Sequence, residues 1–340
     1  MRHIVECVPN FSEGRDPGVI KRIVEAITGV PGVKFLSAEP DKDYNRTVVT
    51  FVGEPEGVLE AAFQATARAA ELIDMTRHAG EHPRLGATDV VPFVPVAGVT
   101  MEDCVRLARA YGERVAGELG IPVYLYEEAA SRPDRKNLAT IRKGEYEGLQ
   151  AKLADPAWVP DFGRAEFNAR SGATVTGARS FLIAYNVNLS TADVAVASEI
   201  AARVRESGRV KKDDTGASVL DASGNKIVIP GTLRAVKAMG VLLEAHSIAQ
   251  VSMNLVNFAV TPPHVAVEEV AAQARSLGVQ ATGSEIVGLT PREALLLAGR
   301  HYASDASMPD ERLLDLAIER LGLSQLEPFD RRKKIIEYQL

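Results

Sequence analysis

Cysteine is nearly absent from this sequence. Cys7 and Cys104 are the only two in 340 residues. Neither belongs to a C-x-x-C pair, and two thiols in so long a chain make no disulfide framework. They read as buried, reduced thiols of a cytosolic protein. Aromatic residues are scarce at 6%, so the core must rest on Ala, Val, Leu and Ile. There is no basic surplus: 45 acidic residues face 39 basic ones, a net charge of −6. That balance argues against a non-specific nucleic-acid binder, while leaving room for a local basic pocket around an anionic ligand. No segment has the length of a membrane-spanning helix. The opening residues, Met1 to Cys7, contain no uninterrupted apolar signal core. Together these absences predict a cytoplasmic protein with no membrane and no nucleic-acid partner.

What remains is an ordinary globular composition, long enough for two core-forming units. Ile4 to Val8 reads as a strand, followed by the loop Pro9-Asn10-Phe11-Ser12-Glu13-Gly14. Asp16 and Pro17 predict a helix start, cap and first position respectively, with the helix running to about Ile27. Val33–Leu36 and Thr47–Val52 read as strands. Pro55 opens a helix predicted to reach about Arg77, with an apolar face from Leu59 to Ile73 and Gly80 as its stop. Val90 to Val96 is a strand that Pro92 and Pro95 place at a sheet edge. Glu102–Leu119 is helical, and Val123–Tyr126 is a strand. The pattern weakens from Ser131 to Thr176, which is expected to be irregular.

A second pattern then begins. Phe181–Val187 is a strand, and Thr191 caps a helix to about Glu206. A surface hairpin is expected around Asp221-Ala222-Ser223-Gly224-Asn225. Strands at Leu242-Leu243 and Ile248–Phe258 follow, with helices at Val265–Leu277, Pro291–Ala303 and Asp310–Leu321. The charged run Arg331–Lys334 reads as a solvated face. Alternating strands and helices in both halves predict an α/β fold, with domains 1–179 and 180–340. No internal repeat is visible.

The strongest chemical signal is Gly80-Glu81-His82-Pro83-Arg84. Pro83 disfavours the α region for His82, so the imidazole sits on a turn between a carboxylate and a guanidinium. That suits proton transfer near neutral pH. His78 to His82 also matches H-x-x-E-H, the inverted zinc-protease pattern. Gly80 and Pro83 oppose the helix which that chemistry needs, so the reading is a catalytic histidine without metal. For His78 a structural role competes. Asn45-Arg46-Thr47 sits at a strand entrance, where Asn45 suits a turn and Arg46 is either solvated or a carboxylate clamp. Asp161-Phe162-Gly163 has no phosphate or catalytic loop with it, so a kinase reading is discarded. Gly172 to Arg179 reads as a flexible domain link, with Trp158 and Phe162 as its anchors.

Longer strings carry a family resemblance. Glu6-Cys7-Val8-Pro9-Asn10-Phe11-Ser12-Glu13-Gly14, Asn45-Arg46-Thr47 and Gly80-Glu81-His82-Pro83-Arg84 resemble the glutamate formimidoyltransferases. So do Gly144-Glu145-Tyr146-Glu147, Pro160-Asp161-Phe162-Gly163, Gly177-Ala178-Arg179, Ala249-Gln250-Val251-Ser252 with Asn254-Leu255, Pro328-Phe329-Asp330 and Ile335-Ile336-Glu337-Tyr338. The matches run in order along essentially the whole chain.

The resemblance implies two consecutive α/β subdomains, ferredoxin-like in character, with the active-site groove between them, in a homodimer. It implies transfer of a formimino group from N-formimidoyl-L-glutamate to tetrahydrofolate in histidine degradation, with tetrahydrofolate as co-substrate and no metal. The family's catalytic histidine falls on His82. Its folate-associated stretch falls on residues 163–172, where Gly163, Phe167 and Gly172 match. Asn10, Asn45, Arg46, Arg84 and Arg179 become candidate substrate-binding residues. His82 would shuttle the proton, with a pKa near 7 and its tautomer fixed by Glu81 or a backbone carbonyl. Animal members continue into a cyclodeaminase domain where this chain ends, so deaminase activity is not expected. Residues 211–229 look like a surface insertion. Formyl transfer between 5-formyltetrahydrofolate and glutamate, or an idle folate-binding protein, are the rival functions.

Overall fold

Two segments of one run of chain, β1 (Ile4–Cys7) and β2 (Asn10–Phe11), lie end to end in the first sheet, both between the same two neighbouring strands. A computed structural model describes residues 3–221 and 223–339. Met1 and Arg2 of the opening segment, Ala222 of the expected hairpin and Leu340 lie outside the described residues. The chain divides into two compact units, Met1–Arg179 and Ser180–Leu340.

In the first unit Asp16 caps α1 (Pro17–Thr28) by accepting from the N–H groups of Gly18 and Val19. The hairpin β3 (Val33–Asp41) and β4 (Arg46–Gly53) follows, then α2 (Pro55–Leu72), β5 (Thr88–Ala97) and α3 (Met101–Leu119). The unit ends with β6 (Val123–Glu127), α4 (Leu138–Arg142), α5 (Glu145–Ala154) and β7 (Thr174–Ala178). β3 pairs with β4, which pairs with β1 and β2; these pair with β5, and then come β7 and β6. The last three run parallel; the other pairings are antiparallel.

Alternate strand residues point to opposite faces. Val5, Cys7, Val49, Phe51, Val91 and Phe93 share one core with residues of α1, α2 and α3. On the opposite face Val90, Tyr124, Tyr126 and Val175 pack against Ile141 of α4 and Leu149 and Leu153 of α5. That second cluster contains no residue of β2 or β4. Arg46 and Asn10 therefore stand beyond the patch that α4 and α5 cover.

Several expectations change. The helix expected to reach Arg77 ends at Leu72, and Ile73 is extended. The Arg170 guanidinium donates to the carbonyls of Ala70 and Glu71, so the helix end is closed from outside. Asp74 caps a separate 3₁₀ turn, Met75–Arg77. The prolines do not put β5 at an edge: it lies between β1/β2 and β7. Pro95 stands beside a register shift on β1, the kind of irregularity that tolerates a missing N–H. The expected link at Gly172–Arg179 holds β7, fully buried and central. A strand buried on both faces loses the alternation that would mark it. The stretch expected to be irregular contains α4 and α5.

In the second unit come β8 (Ile183–Leu189), α6 (Val194–Val204), the short pair β9 (Arg209–Val210) and β10 (Val228–Ile229), β11 (Val236–Leu243) and β12 (Ile248–Leu255). Then follow α7 (Pro263–Ser276), β13 (Ala281–Val287), α8 (Arg292–Tyr302), α9 (Asp310–Leu321) and α10 (Arg331–Lys334). The cap of α6 is Asp193 rather than Thr191, whose hydroxyl instead accepts from the Asp193 N–H. β13 lay outside the sequence reading. Arg331 is no solvated charge, since it pairs with Glu311 and Asp315. The described residues of 211–227 form ladder bridges outside the main sheet.

The second sheet runs β11-β12-β8-β13, so its chain order is β-α-β-β-α-β with the first and third strands central. The first unit contains the same order in β1-α1-β3-β4-α2-β5. Both are the ferredoxin-like split βαβ arrangement. The fold repeats even though no sequence repeat is visible. Both cysteines are free and buried. Among the described residues no helix is long and apolar enough to cross a membrane.

Asp161 shows what the former irregular stretch does. Its carboxylate accepts from the Leu125 N–H and from Arg135, which also donates to the carbonyls of Ala157 and Val159. Both side chains of this pair are under a tenth exposed. Asp161→Ala strands the buried Arg135 charge and should cost about 3–5 kcal/mol in urea unfolding. A loss below about 1 kcal/mol would mean that solvent already screens the pair.

Candidate functional site

After the Met75–Arg77 turn the chain from His78 to Arg84 forms no helix. The two histidines of H-x-x-E-H therefore do not share a helical face. No group of three or more His, Cys, Asp or Glu side chains that could hold a metal occurs among the described residues.

Asn45 holds this loop in place. Its φ is 49°, a left-handed conformation that Asn tolerates better than most residues. Its Oδ1 accepts from the Gly14 N–H at 3.0 Å, and its Nδ2 donates to the Ala79 carbonyl at 3.0 Å. Its own carbonyl lies 3.0 Å from His78 Nε2. Three loops thus meet on one residue. At Gly80 a Cβ would come within 2.4 Å of the Tyr44 carbonyl oxygen, so the two backbones approach as only glycine permits.

The two histidines are both held by arginines. An arginine only donates, so each contact fixes a tautomer. Arg84 Nε donates to His78 Nδ1 at 3.2 Å. His78 must then carry its proton on Nε2 and give it to Asn45. Burial, opposed by that bond, holds the His78 pKa below its usual value. Arg84 is itself buried, with its Nη atoms on Glu145 and Glu147 at 2.6 to 3.1 Å. Burial alone would lower its pKa; the two carboxylates more than reverse that. Arg84, His78 and Asn45 form a closed, neutralised bracket.

His82 stands in a different field. Arg46 Nη1 lies 3.3 Å from its Nε2 and 2.9 Å from Asn10 Oδ1. His82 therefore keeps its proton on Nδ1 while Arg46 occupies the Nε2 lone pair. Burial, then the charges of Arg46, Arg142 and Arg84, push its pKa down to about 4, with Asp41 opposing. This replaces the expected value near 7. Glu81 is exposed; the tautomer is set by Arg46. No carboxylate among the described residues lies within ion-pair distance of Arg46, and its buried Nε has no hydrogen-bond partner. Its neighbour Arg142 is by contrast paired with the buried Asp89. The Tyr44 ring flanks both groups, 6.0 Å from the His82 ring and 6.0 Å from the Arg46 guanidinium.

The residues read from the sequence thus separate into groups. Asn10, Arg46 and His82 meet directly; Asn45 and Arg84 brace them. Gly163 and Gly172 take positive φ, and Phe167 packs on Tyr146 with ring centroids 5.5 Å apart. The Tyr146 N–H in turn donates to the Arg84 carbonyl, so the 163–172 stretch abuts the far side of the same loop. Arg179 bonds Tyr126 and lies near Glu6. The sequence reading missed Tyr44, Arg142 and Asp89 as site residues. Tyr44 adjoins a motif already noted. Arg142 and Asp89 lie 53 residues apart and carry no local signal.

The N-terminal subdomain model of the formiminotransferase domain matches residues 4–179, and the formiminotransferase domain model matches residues 184–340. The chain belongs to the formiminotransferase family. It is 49% identical over 342 residues to a formimidoyltransferase-cyclodeaminase of Dictyostelium discoideum, covering 99% of this chain and 60% of that protein. It is 41% identical over 340 residues to a glutamate formimidoyltransferase of Streptococcus pyogenes serotype M1, covering 100% of this chain and 99% of that protein. A glutamate formimidoyltransferase of Thermoplasma acidophilum is 44% identical over 319 residues, with 93% and 98% covered. The chain spans about 60% of the length of the cyclodeaminase relatives.

The depressed His82 pKa has a consequence for stability. Below pH 6.5 the unfolded imidazole binds a proton that the folded one refuses until about pH 4. Stability is therefore lost as pH falls through that window. Glu6, raised to about 7 by burial, acts in the opposite sense between about 4.5 and 7, so the comparison must be with a variant. His82→Gln should flatten the acid limb of urea midpoint against pH while leaving the neutral plateau. Identical profiles for the two proteins would refute the depressed pKa.

Proposed function

We propose that this chain transfers the formimino group of N-formimidoyl-L-glutamate to N5 of tetrahydrofolate, giving 5-formimidoyltetrahydrofolate and L-glutamate. The observation that carries this reading is the Asn10–Arg46–His82 triangle: a neutral imidazole beside a guanidinium that lacks a carboxylate partner. The names of the relatives support the same donor and transferred group. Arg46 and Asn10 take the acidic donor. Gly163, Phe167 and Gly172 lie on the folate side, with tetrahydrofolate as co-substrate. Arg84, His78 and Asn45 position the loop. The homodimer expected of the family belongs to this proposal.

In the reaction the N5 lone pair attacks the amidine carbon of the donor, and the C=N π pair moves onto the imino nitrogen, from which it later returns to re-form C=N as the bond to the glutamate nitrogen breaks. The new N5–C bond leaves N5 positively charged and acidic, so even a weak base accepts its proton. His82 takes that proton. It then delivers it to the glutamate nitrogen as the C–N bond breaks and that nitrogen keeps the electron pair. The imidazole ends neutral, and glutamate leaves as an amine. One group acts first as base and then as acid. Holding two substrates in line lowers the barrier further.

Purified protein should turn over tetrahydrofolate and N-formimidoyl-L-glutamate, with or without a chelator. His82→Ala should lower kcat by at least about 10²-fold. Absence of turnover by the wild type would overturn the reading and make 5-formyltetrahydrofolate with glutamate the next pair to assay. Loss of activity on chelation would return the zinc reading. Full activity in the variant would remove His82 from proton transfer.

A further inference from the structure

Arg46 and His82 are joined in a way that opposes the task proposed for the histidine. The Nε2 lone pair, which must receive a proton, is already occupied by an Arg46 N–H at 3.3 Å. A protonated His82 would point a second donor at that guanidinium, and two donors cannot satisfy each other. Arg46 is at the same time short of partners: one Nη1 contact to Asn10, no carboxylate at ion-pair distance among the described residues, and a buried, unbonded Nε. Its planar fork would be better satisfied by two carboxylate oxygens than by one imidazole nitrogen.

We infer that Arg46 is a positioning residue that holds His82 in reserve: a carboxylate of the donor draws the guanidinium off His82 Nε2, and only then is that nitrogen free to accept the N5 proton. The inference rests on the transferase reading and deepens it. Binding of the acidic substrate and activation of the base become one event. The carboxylate does two things at once. It removes the N–H that blocks Nε2, and it neutralises the nearest positive charge. The other groups facing His82 stay in place: Asp41 from β3, Arg142 from α4, Arg84 from the same loop and the Tyr44 ring. Asp89 on β5 remains paired to Arg142. Without its donor the site would leave a bound folate untouched, because its base is occupied.

The test uses the full chain and glutarate, a dicarboxylate that lacks the reactive amidine. Imidazole ¹⁵N and ¹³C resonances of His82 are followed against pH, ligand-free and at saturating glutarate. In the free wild type the Nδ1–H tautomer is expected. Glutarate should move the His82 midpoint upward by about one pH unit or more. In Arg46→Gln the ligand-free midpoint should already lie above that of the wild type, and glutarate should move it no further. Arg46→Lys, which keeps the charge but not the fork, should show a smaller response than the wild type. The acid limb of kcat, set by the bound complex, should lie above that of kcat/KM, set by the free enzyme. The two limbs should coincide in Arg46→Gln. A wild-type midpoint that ignores glutarate, or coincident limbs in an active wild type, overturns the inference and leaves the transferase reading standing. A glutarate response in a protein that cannot turn over the formimino donor overturns the transferase reading and leaves the Arg46–His82 coupling standing.

Discussion

Asn45 ties three loops to one peptide, and the geometry around His82 depends on that tie. Its amide oxygen fixes the loop after β2, its amide nitrogen fixes the loop before His82, and its carbonyl anchors His78. Its backbone is left-handed, a conformation that Asn is among the few side chains to accept. Regular secondary structure could not do this work. A helix through residues 78–82 would put the histidines on one face and turn their nitrogens away from β4. The loop is irregular, yet bonds from Asn45 to the Ala79 carbonyl, from the Glu81 N–H to the Asp43 carbonyl and from the Tyr146 N–H to the Arg84 carbonyl tie it to its neighbours.

The two histidines show how the same pair of residue types can serve opposite ends. Each imidazole is held by an arginine, and each has a depressed pKa. Around His78 the account closes: the arginine has two carboxylates, the imidazole uses both nitrogens, and no valence is left over. Around His82 it stays open. Among the described residues Arg46 has no carboxylate at ion-pair distance, and the His82 ring meets Arg46 and the Tyr44 ring. Buried polar groups are normally satisfied, so an arrangement left unsatisfied beside one that is complete is the observation on which the proposed binding site rests.

Much of the fold was legible because its signals are local. Asp16-Pro17 starts α1, and Asp310 to Leu321 is read end to end, because caps and helical periodicity act within a few residues. What failed was non-local. β7 looked like a link because a buried parallel strand shows no alternation, and Gly177 weakens its propensity further. β5 looked like an edge because two prolines suggested unpaired backbone, whereas the irregularity that accommodates Pro95 lies on the partner strand. The Arg142–Asp89 pair joins residues that no motif connects. For the candidate site, the sequence pointed to His82, Arg46 and Asn10 through long strings, and the structure brings these three together. It could not show that Arg84 is neutralised while Arg46 is not. That difference depends on Glu145 and Glu147, which reach Arg84 across about sixty residues of chain.

The placement of the site follows from how the first sheet is covered. α1, α2 and α3 cover the core on one face, while on the other the cluster with α4 and α5 takes its strand residues from β5, β7 and β6. The buried cluster under α4 and α5 contains no residue of β2 or β4, where Asn10 and Arg46 lie. In a chain with net charge −6, Arg46, Arg84 and Arg142 gather close enough that all three depress one imidazole. Asp89 and the two glutamates neutralise two of these cations and leave the third. The cation left without a carboxylate partner, Arg46, is the one in contact with His82 Nε2. On the proposed mechanism, a ligand attracted by that charge arrives at the group that must leave His82, so selectivity for an acid and readiness for proton transfer would have a single structural origin.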